Sequence, residues 1–220
     1  KGMGSIAERN YRPHITCARI TPDGKFLTAS DVGLDQVKLY GFDAKTGAIK
    51  LVDILRCELE SSPRSMIFSP DGRFAYLICQ LKNCVNVYTY NSDDGMPHFE
   101  MIQQISTLGK SYNDKSAVAA IKQSVDGKYI FCSNAGDNSI AFFVRDEKTG
   151  MLTKNCVLPI SGDYPKNMCI FPDNKHIASL NHESNEITFF TIDYENGLLI
   201  QHGKPMQVET PNCAVIKKLS

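Results

Sequence analysis

Two cationic residues stand at the same position of an internal repeat, where they could bind an anion. Arg64 and Lys166 each lie six residues before the proline of a Pro-Asp-Gly or Pro-Asp-Asn turn. An arginine can hold a carboxylate or phosphate through two parallel hydrogen bonds, and a lysine acts as a point charge. We therefore expect Arg64 and Lys166 to contact a small anionic substrate or ligand, although each could also be a solvated or loop-capping charge.

Groups that could move a proton are few near these cations. Gln80 and His182 lie ten residues after the same two prolines, and His14 precedes the first such turn. A histidine can exchange a proton near neutral pH, whereas a glutamine cannot. His182 is the first candidate for acid–base catalysis and His14 the second, and Asp31 and Glu183 are left open as acidic alternatives. An ordinary turn or rim role is the alternative for each histidine.

A repeat of nearly fifty residues must position these side chains. Each copy has an apolar stretch, a Pro-Asp-Gly-like turn, an apolar strand, a polar turn, a second strand and a Thr-Gly-like or Asn-Gly-like turn. The aspartates of the first turn are Asp23, Asp71, Asp126 and Asp173. Four short strands fill such a period, and segments such as 85–90 alternate as strands do. The sequence therefore predicts an all-β propeller built from four-stranded antiparallel blades.

The repeats predict a single propeller domain over residues 1–220. The four blades are assigned to approximately 13–62, 63–114, 115–164 and 165–210, followed by a closing strand over 211–220. The third repeat is longer, which we assign to an insertion around 109–115. Four blades alone would leave unpaired sheet edges, so we expect further blades on the N-terminal side.

Equivalent positions in a propeller form rings around its axis. The positions six residues before the turn are Thr16, Arg64, Ala119 and Lys166. The positions ten residues after it are Val32, Gln80, Ala135 and His182. We expect these side chains to face one shared mouth. The turn 31–35 lies there too, and Gly33 is expected to supply its unusual backbone conformation.

The composition excludes several classes of partner and cofactor. Lysine plus arginine and aspartate plus glutamate number 24 each, so the net charge is zero and neither a nucleic acid nor an anionic membrane is expected as a partner. No apolar stretch is long enough to span a membrane. No nucleotide-binding glycine fingerprint or metal-ligand spacing occurs, so we expect no cofactor and no metal.

The eight cysteines include no C-x-x-C pair. Several fall within apolar runs, as Cys79 and Cys132 do, where cysteine acts as a small buried hydrophobe. We expect reduced core cysteines and a cytoplasmic protein.

Several short motifs occur in an order and spacing that resemble one family. They are RPH at 12–14, SPR at 62–64, SNAGDNSI at 133–140 and PMQV at 205–208. Together they are similar to the lactonase family of seven-bladed propellers, which includes 6-phosphogluconolactonases and 3-carboxy-cis,cis-muconate lactonizing enzymes. The resemblance implies that the chain is the C-terminal two-thirds of such a propeller. It also implies a site of histidine, arginine and glutamate at one mouth.

The family's site residues carry over only in part. The arginine that follows a proline matches Arg64, but the next residue, a histidine in the family, is Ser65. The family's second histidine falls on Thr16, its glutamate on Gln80 and a further arginine on Ala135. The resemblance thus implies a shared scaffold with altered chemistry.

Two functions follow from this comparison. One is hydrolysis of a small anionic sugar lactone such as 6-phosphogluconolactone, with Arg64, Lys166 and Thr16 contacting substrate and His182, His14 and Gln80 at the reacting group. The other is a propeller of the same family with no catalysis or altered chemistry, acting as a ligand-binding or interaction module.

Overall fold

The described part of the chain is made of β-strands and turns. The computed structural model describes residues 12–110, 112 and 114–216. These residues form four antiparallel sheets, and the described residues contain no helix that is long and apolar enough to cross a membrane. The chain divides into two compact units, Lys1–Ile105 and Ser106–Ser220, each with two of the sheets. The prediction of an all-β fold with four-stranded antiparallel sheets is confirmed.

Each sheet is a meander in which successive strands are hydrogen-bonded neighbours. The first sheet contains β1 (Ile15–Ile20), β2 (Phe26–Asp31), β3 (Gln36–Phe42) and β4 (Ile49–Arg56). The second contains β5 (Pro63–Phe68), β6 (Phe74–Cys79), β7 (Cys84–Asn91) and β8 (His98–Ser106). The third contains β9 (Ala117–Gln123), β10 (Tyr129–Ala135), β11 (Ser139–Arg145) and β12 (Leu152–Pro159). The fourth contains β13 (Pro165–Ile170), β14 (His176–Asn181), β15 (Glu186–Asp193) and β16 (Leu198–Gln201), and the short β17 (Met206–Gln207) also pairs with β15.

The core of each unit lies between its two sheets. In the first unit Val37 and Leu39 of β3 belong to one buried cluster with Met66 and Leu77 of the second sheet. The central strand β6 is buried along its whole length, which explains its continuous apolar sequence. Each fully buried aliphatic or aromatic side chain of this kind contributes about 1.5–3 kcal/mol. Burial of Cys79 and Cys132, both fully inaccessible, confirms their prediction as core residues.

The Pro-Asp-Gly turns form as the sequence predicts. Asp23 accepts a hydrogen bond from the backbone N–H of Lys25 at 3.1 Å, and Gly24 has a φ of 71°. In the other three turns the aspartate likewise accepts the backbone N–H of the residue two positions later. In the fourth turn Asn174 takes the position of the glycine, with a φ of 57°. Asparagine tolerates this left-handed conformation better than most residues do.

The turn 31–35 differs from the expectation for Gly33. Its left-handed residue is Asp35, with a φ of 49°, and Gly33 lies outside that region. Gly33 is required for another reason, because a Cβ there would lie 2.3 Å from the carbonyl oxygen of Arg12. The prediction of an unusual Gly33 conformation was therefore wrong, since close backbone approach and positive φ both select glycine.

Asp35 joins the first sheet to the second. Its carboxylate accepts the backbone N–H groups of Glu60 at 3.0 Å and Ser62 at 2.8 Å. Its own carbonyl accepts the N–H of Cys57 at 2.9 Å. These bonds fix the chain between the end of β4 and the start of β5.

The second unit uses the same device. The side-chain oxygen of Asn138 accepts the N–H of Tyr164 at 2.9 Å, immediately before β13. Asn185 accepts the N–H of Thr210 at 2.8 Å in the same way. Both asparagines have φ values near 50°. We call Asp35, Asn138 and Asn185 the joining residues.

The connections that follow two of the sheets are less regular. β8 ends at Ser106 and β9 begins at Ala117, which is where the sequence places the insertion. Of the predicted closing strand, residues 211–216 form no sheet ladder with the described residues, and 217–220 lie outside them. The thiol of Cys169, in β13, nevertheless donates a hydrogen bond to the carbonyl oxygen of Ala214 at 3.0 Å.

We expect Asp35→Ala to lower the free energy of unfolding by about 2–5 kcal/mol. Two N–H groups would lose their acceptor, at about 1–3 kcal/mol each, and alanine is strained at positive φ. Asp35→Asn keeps one acceptor oxygen and the tolerance of this φ, so its loss should be clearly smaller. Urea denaturation of both variants measures the difference. Equal losses would contradict the joining role.

Asp23 forms a second link between the two sheets of the first unit, and the strength of this link depends on pH. Its carboxylate accepts hydrogen bonds from the Tyr90 hydroxyl at 2.9 Å and from the hydroxyls of Ser92 and Thr21. Partial burial opposes ionisation, but these bonds outweigh it and lower the pKa of Asp23 from 3.8 to about 2.

A lowered carboxyl pKa stabilises the fold above the unfolded-state pKa and loses that contribution as pH falls through the folded-state value. We therefore expect the free energy of unfolding to fall between pH 3.8 and about 2. Ser92→Ala should raise the pKa of Asp23 by removing one donor, as followed by NMR titration of the carboxyl carbon. A pKa of Asp23 that stays unchanged in this variant would contradict the assignment.

Candidate functional site

A β-bulge stands at the start of the first strand of every sheet. In each case the register of pairing with the second strand skips one residue. The skipped residues are Thr16, Arg64, Ala119 and Lys166. These are the four positions that sequence spacing made equivalent. Bulges redirect a side chain and are common beside active sites.

Arg64 and Gln80 meet within the first unit. Arg64 is the bulge residue of β5, and Gln80 directly follows β6. The Nη1 group of Arg64 donates to Oε1 of Gln80 at 2.8 Å, and both side chains are partly buried. Because the acceptor is a neutral amide, Gln80 orients the guanidinium without cancelling its charge. The backbone also fixes the pair, since the Gln80 N–H donates to the Ser62 carbonyl at 2.9 Å.

Thr16 is connected to the same arginine. Its hydroxyl donates to the carbonyl oxygen of Arg64 at 2.6 Å. Thr16 is exposed, so its oxygen can still accept a hydrogen bond from a ligand. The structure thus brings together three predicted site residues: Thr16, Arg64 and Gln80.

His14 lies at the entry to β1, two residues before Thr16. Its side chain is exposed, and its backbone is held by Asp31 and Val32. Asp31 is fully buried and accepts the N–H of His14 at 2.9 Å and the ammonium group of Lys38 at 3.1 Å. Asp31 therefore holds the backbone at the entry to β1. Its burial and its two partners do not suit the acid–base role that the sequence left open for it.

Lys166 and His182 occupy the equivalent positions of the second unit. Lys166 is the bulge residue of β13, and His182 directly follows β14. The His182 N–H donates to the Tyr164 carbonyl at 3.0 Å, and the two rings contact edge to face with centroids 6.3 Å apart. Glu183 follows His182 and is exposed. Each unit thus carries one cationic bulge residue and, among the predicted site residues, one histidine that is partly or fully exposed.

The remaining ring positions carry no polar side chain. Val32, Ala119 and Ala135 occupy them. Ala135 is buried, so the place where the family resemblance implies a further arginine is apolar in this chain. That the cations and histidines of both units line one mouth stays a prediction. Among residues 12–110, 112 and 114–216, no group of three or more His, Cys, Asp or Glu side chains could hold a metal ion.

The residues that hold these side chains in place were not among the predicted site residues. Asp35 and Asn138 fix the backbone just before a bulge strand, and Asn185 holds Thr210 before the last described segment. The signal was present, because every repeat has aspartate or asparagine at this turn position, Asn83 being the fourth. The bulges carry no comparable residue signature, since Thr, Arg, Ala and Lys all occur there.

Comparison with known proteins identifies the relatives of this chain. The 6-phosphogluconolactonase of Bacillus subtilis is 29% identical over 206 residues, which cover 94% of this chain and 58% of that protein. An uncharacterised protein of Lactococcus lactis is 30% identical over 92% of this chain and 58% of its own length. The chain therefore spans under two-thirds of the length of these relatives.

Solved structures agree with this relationship. A Bacteroides fragilis protein superposes with a TM-score of 0.85 at 34% identity, over 97% of this chain and 60% of its own. The periplasmic gluconolactonase of Pseudomonas aeruginosa superposes with a TM-score of 0.88 at 25% identity, over 96% of this chain and 59% of its own. The four-stranded sheets are accordingly blades of a β-propeller.

A sequence model of the lactonase family, described as a seven-bladed β-propeller, matches residues 1–216. The matched region includes all four bulges and both candidate cations. On this evidence the chain belongs to the lactonase family of seven-bladed β-propellers.

Proposed function

We propose that this chain is part of a lactonase-like hydrolase that opens a small anionic sugar lactone such as 6-phosphogluconolactone. The observation that carries the proposal is the Arg64 guanidinium, held in place by Gln80 at 2.8 Å. Its bulge position would direct it toward a ligand. The relative from Bacillus subtilis, named a 6-phosphogluconolactonase, supports this choice of substrate.

Binding of the anion would use the two nitrogen-bearing groups of this pair. Arginine binds phosphate and carboxylate oxygens with a fixed fork of N–H donors. The Gln80 amide engages Arg64 through its oxygen, so its N–H₂ group is the end that can donate to a ligand oxygen. In the second unit, Lys166 would supply a further charge. None of the carboxylates in the described residues forms an ion pair with it.

Ring opening requires a water molecule to attack the lactone carbonyl and lose a proton to a base, after which the ring C–O bond breaks and its oxygen takes up a proton to become the hydroxyl of the product. A histidine is the suitable base, and His182 and His14 are the candidates in this chain. Gln80 would orient Arg64 and donate a hydrogen bond to the carbonyl oxygen as negative charge develops there. It would not accept the proton.

A non-catalytic or altered-chemistry propeller is the second candidate, favoured by one specific observation. The partner of Arg64 is an amide where the family resemblance implies a carboxylate, and the buried Ala135 stands where it implies an arginine. A site with these residues could retain a carboxylate or phosphate ligand and lack the groups for turnover. Fold alone does not decide between the two.

The same proposal includes a small anionic molecule as the partner, with no nucleic acid and no membrane. The balanced charge supports this, because nucleic acids and anionic membranes bind basic surfaces. We also propose a cytoplasmic location, on the basis that all eight cysteines are free thiols.

We expect Arg64→Ala to lower kcat/KM for 6-phosphogluconolactone by about 10- to 100-fold in the full-length protein, the size of a lost charge-assisted hydrogen bond. Hydrolysis of fresh lactone is followed with subtraction of its spontaneous opening. Arg73→Ala is the matched control, because Arg73 and Gln80 lie at opposite ends of β6. Activity that survives Arg64→Ala would remove this arginine from the site. No acceleration by the wild-type protein would favour the non-catalytic alternative.

We expect Gln80→Glu to weaken binding of 6-phosphogluconate by about tenfold, because a carboxylate beside Arg64 would neutralise the charge that attracts the anion. Isothermal titration calorimetry measures the affinity. Gln80→Met has a similar length and no charge, so its effect should be smaller. Tighter or unchanged binding in Gln80→Glu would contradict the role of Arg64 as the anion ligand.

A further inference from the structure

Two cysteines face each other across the hairpin that carries Gln80. Cys79 is the last residue of β6, Cys84 is the first of β7, and the two are direct partners in the antiparallel ladder. Opposed residues of antiparallel strands have Cα atoms about 4.5–5.5 Å apart. Disulfides need a Cα separation of about 4.4–6.8 Å. The backbone of this hairpin therefore already has the spacing that a disulfide requires.

The side chains of these cysteines also point to a common place. The Asn86 amide nitrogen donates to the sulfur of Cys79 at 3.5 Å, and the sulfur of Cys84 donates to the Asn86 amide oxygen at 3.7 Å. The two sulfurs therefore contact opposite ends of one amide group, Cys79 its nitrogen and Cys84 its oxygen, on the same face of the sheet. Both thiols are free and nearly inaccessible, with Cys79 at 0% and Cys84 at 4% exposure.

We propose that Cys79 and Cys84 form a cross-strand dithiol that a hydroperoxide oxidises to an intramolecular disulfide. The bond would clamp the ends of the turn 80–83, which contains the orienting partner of Arg64. The proposed lactonase function uses neither cysteine.

The chemistry balances with hydrogen peroxide as the oxidant. The Cys84 thiolate attacks one peroxide oxygen, the O–O bond breaks, and protonation of the leaving hydroxide gives water and a sulfenic acid on Cys84. The Cys79 sulfur then attacks the Cys84 sulfur, the S–OH bond breaks, and the proton of Cys79 leaves with the hydroxide as a second water. Two thiols lose two electrons and two protons in total, and the peroxide is reduced to two waters.

Cys84 is assigned as the attacking sulfur because it is the more exposed thiol of the pair, at 4% against 0% for Cys79. A hydrogen bond from the Cys79 thiol lowers the pKa of Cys84. The third thiol of this region, Cys57, is a poor competitor, because burial and the nearby charge of Asp35 raise its pKa to about 12. Cys57 therefore stays protonated while Cys84 reacts.

Burial makes the reaction slow and dependent on opening of the turn 80–83. The exposed Cys213 should react with peroxide first. Cys132 is as buried as Cys79, but its ladder partners are Ala141 and Ile121, so it has no thiol opposite it. Cys213 and Cys132 thus serve as internal controls for oxidant access and for burial.

Peptide mapping tests the proposal directly. Trypsin cleaves after Arg73, Lys82 and Lys110, so a disulfide would join peptide 74–82 to peptide 83–110. The full chain is treated with hydrogen peroxide, its remaining thiols are alkylated under denaturing conditions, and the digest is analysed by mass spectrometry. We expect the joined peptide to accumulate, to separate on reduction with dithiothreitol, and to be absent from Cys84→Ser, while Cys132 remains alkylatable.

Two outcomes would overturn the proposal. One is that Cys213 is oxidised and peptides 74–82 and 83–110 remain separate and alkylated in the wild-type chain. The other is a disulfide from Cys79 or Cys84 to Cys57 in place of the joined hairpin. Both are measured on the wild-type chain, so they do not depend on folding of the Cys84→Ser variant. They are also independent of lactone hydrolysis, so the disulfide and the proposed function can fail separately.

Discussion

The hydrogen bonds of the joining residues are the constraint on which the neighbouring sheets and the candidate site depend. Asp35, Asn138 and Asn185 each adopt a left-handed backbone conformation and accept a backbone N–H just before the next sheet or the final segment. A short polar side chain is needed for two reasons: it tolerates positive φ, and it reaches the N–H donor. In the second and fourth sheets, the start of the first strand is thereby fixed to the hairpin of the preceding sheet.

Two of the four bulges, those of Arg64 and Lys166, lie directly after a strand entry that a joining residue holds. In the second sheet Ser62 is held by Asp35 and also accepts the N–H of Gln80. Arg64 is then the residue left out of the ladder, since pairing runs from Pro63 directly to Ser65. The guanidinium is thus positioned by backbone hydrogen bonds on both sides, and Gln80 adds the side-chain contact. A bulge enforced in this way can place a side chain without any packing around its tip.

The sequence predicted the scaffold and the equivalence of its positions, because both are encoded in local patterns that recur. Turn aspartates and alternating strands are visible in every repeat, and the spacing that relates Thr16, Arg64, Ala119 and Lys166 is matched by the four bulges. Spacing did not reveal the contacts. Nothing local distinguishes Asp31, which is buried and bonded to Lys38, from an exposed acidic residue. The conformation of Gly33 was missed for the same reason, because the carbonyl that excludes a Cβ belongs to Arg12, outside the turn.

This separation between backbone and side chain explains how the family fold can persist while its chemistry changes. The bonds that set the bulge and the strand entry run between main-chain groups or from the joining residues, and none involves the tip of the residue at the bulge. Threonine, arginine, alanine and lysine therefore occupy one backbone position without altering it. A change such as glutamate to glutamine at position 80 keeps the acceptor for Arg64 and alters only the charge and the ability to take up a proton. Single substitutions at these positions can therefore change the charge and the capacity to take up a proton without opposition from the shared backbone.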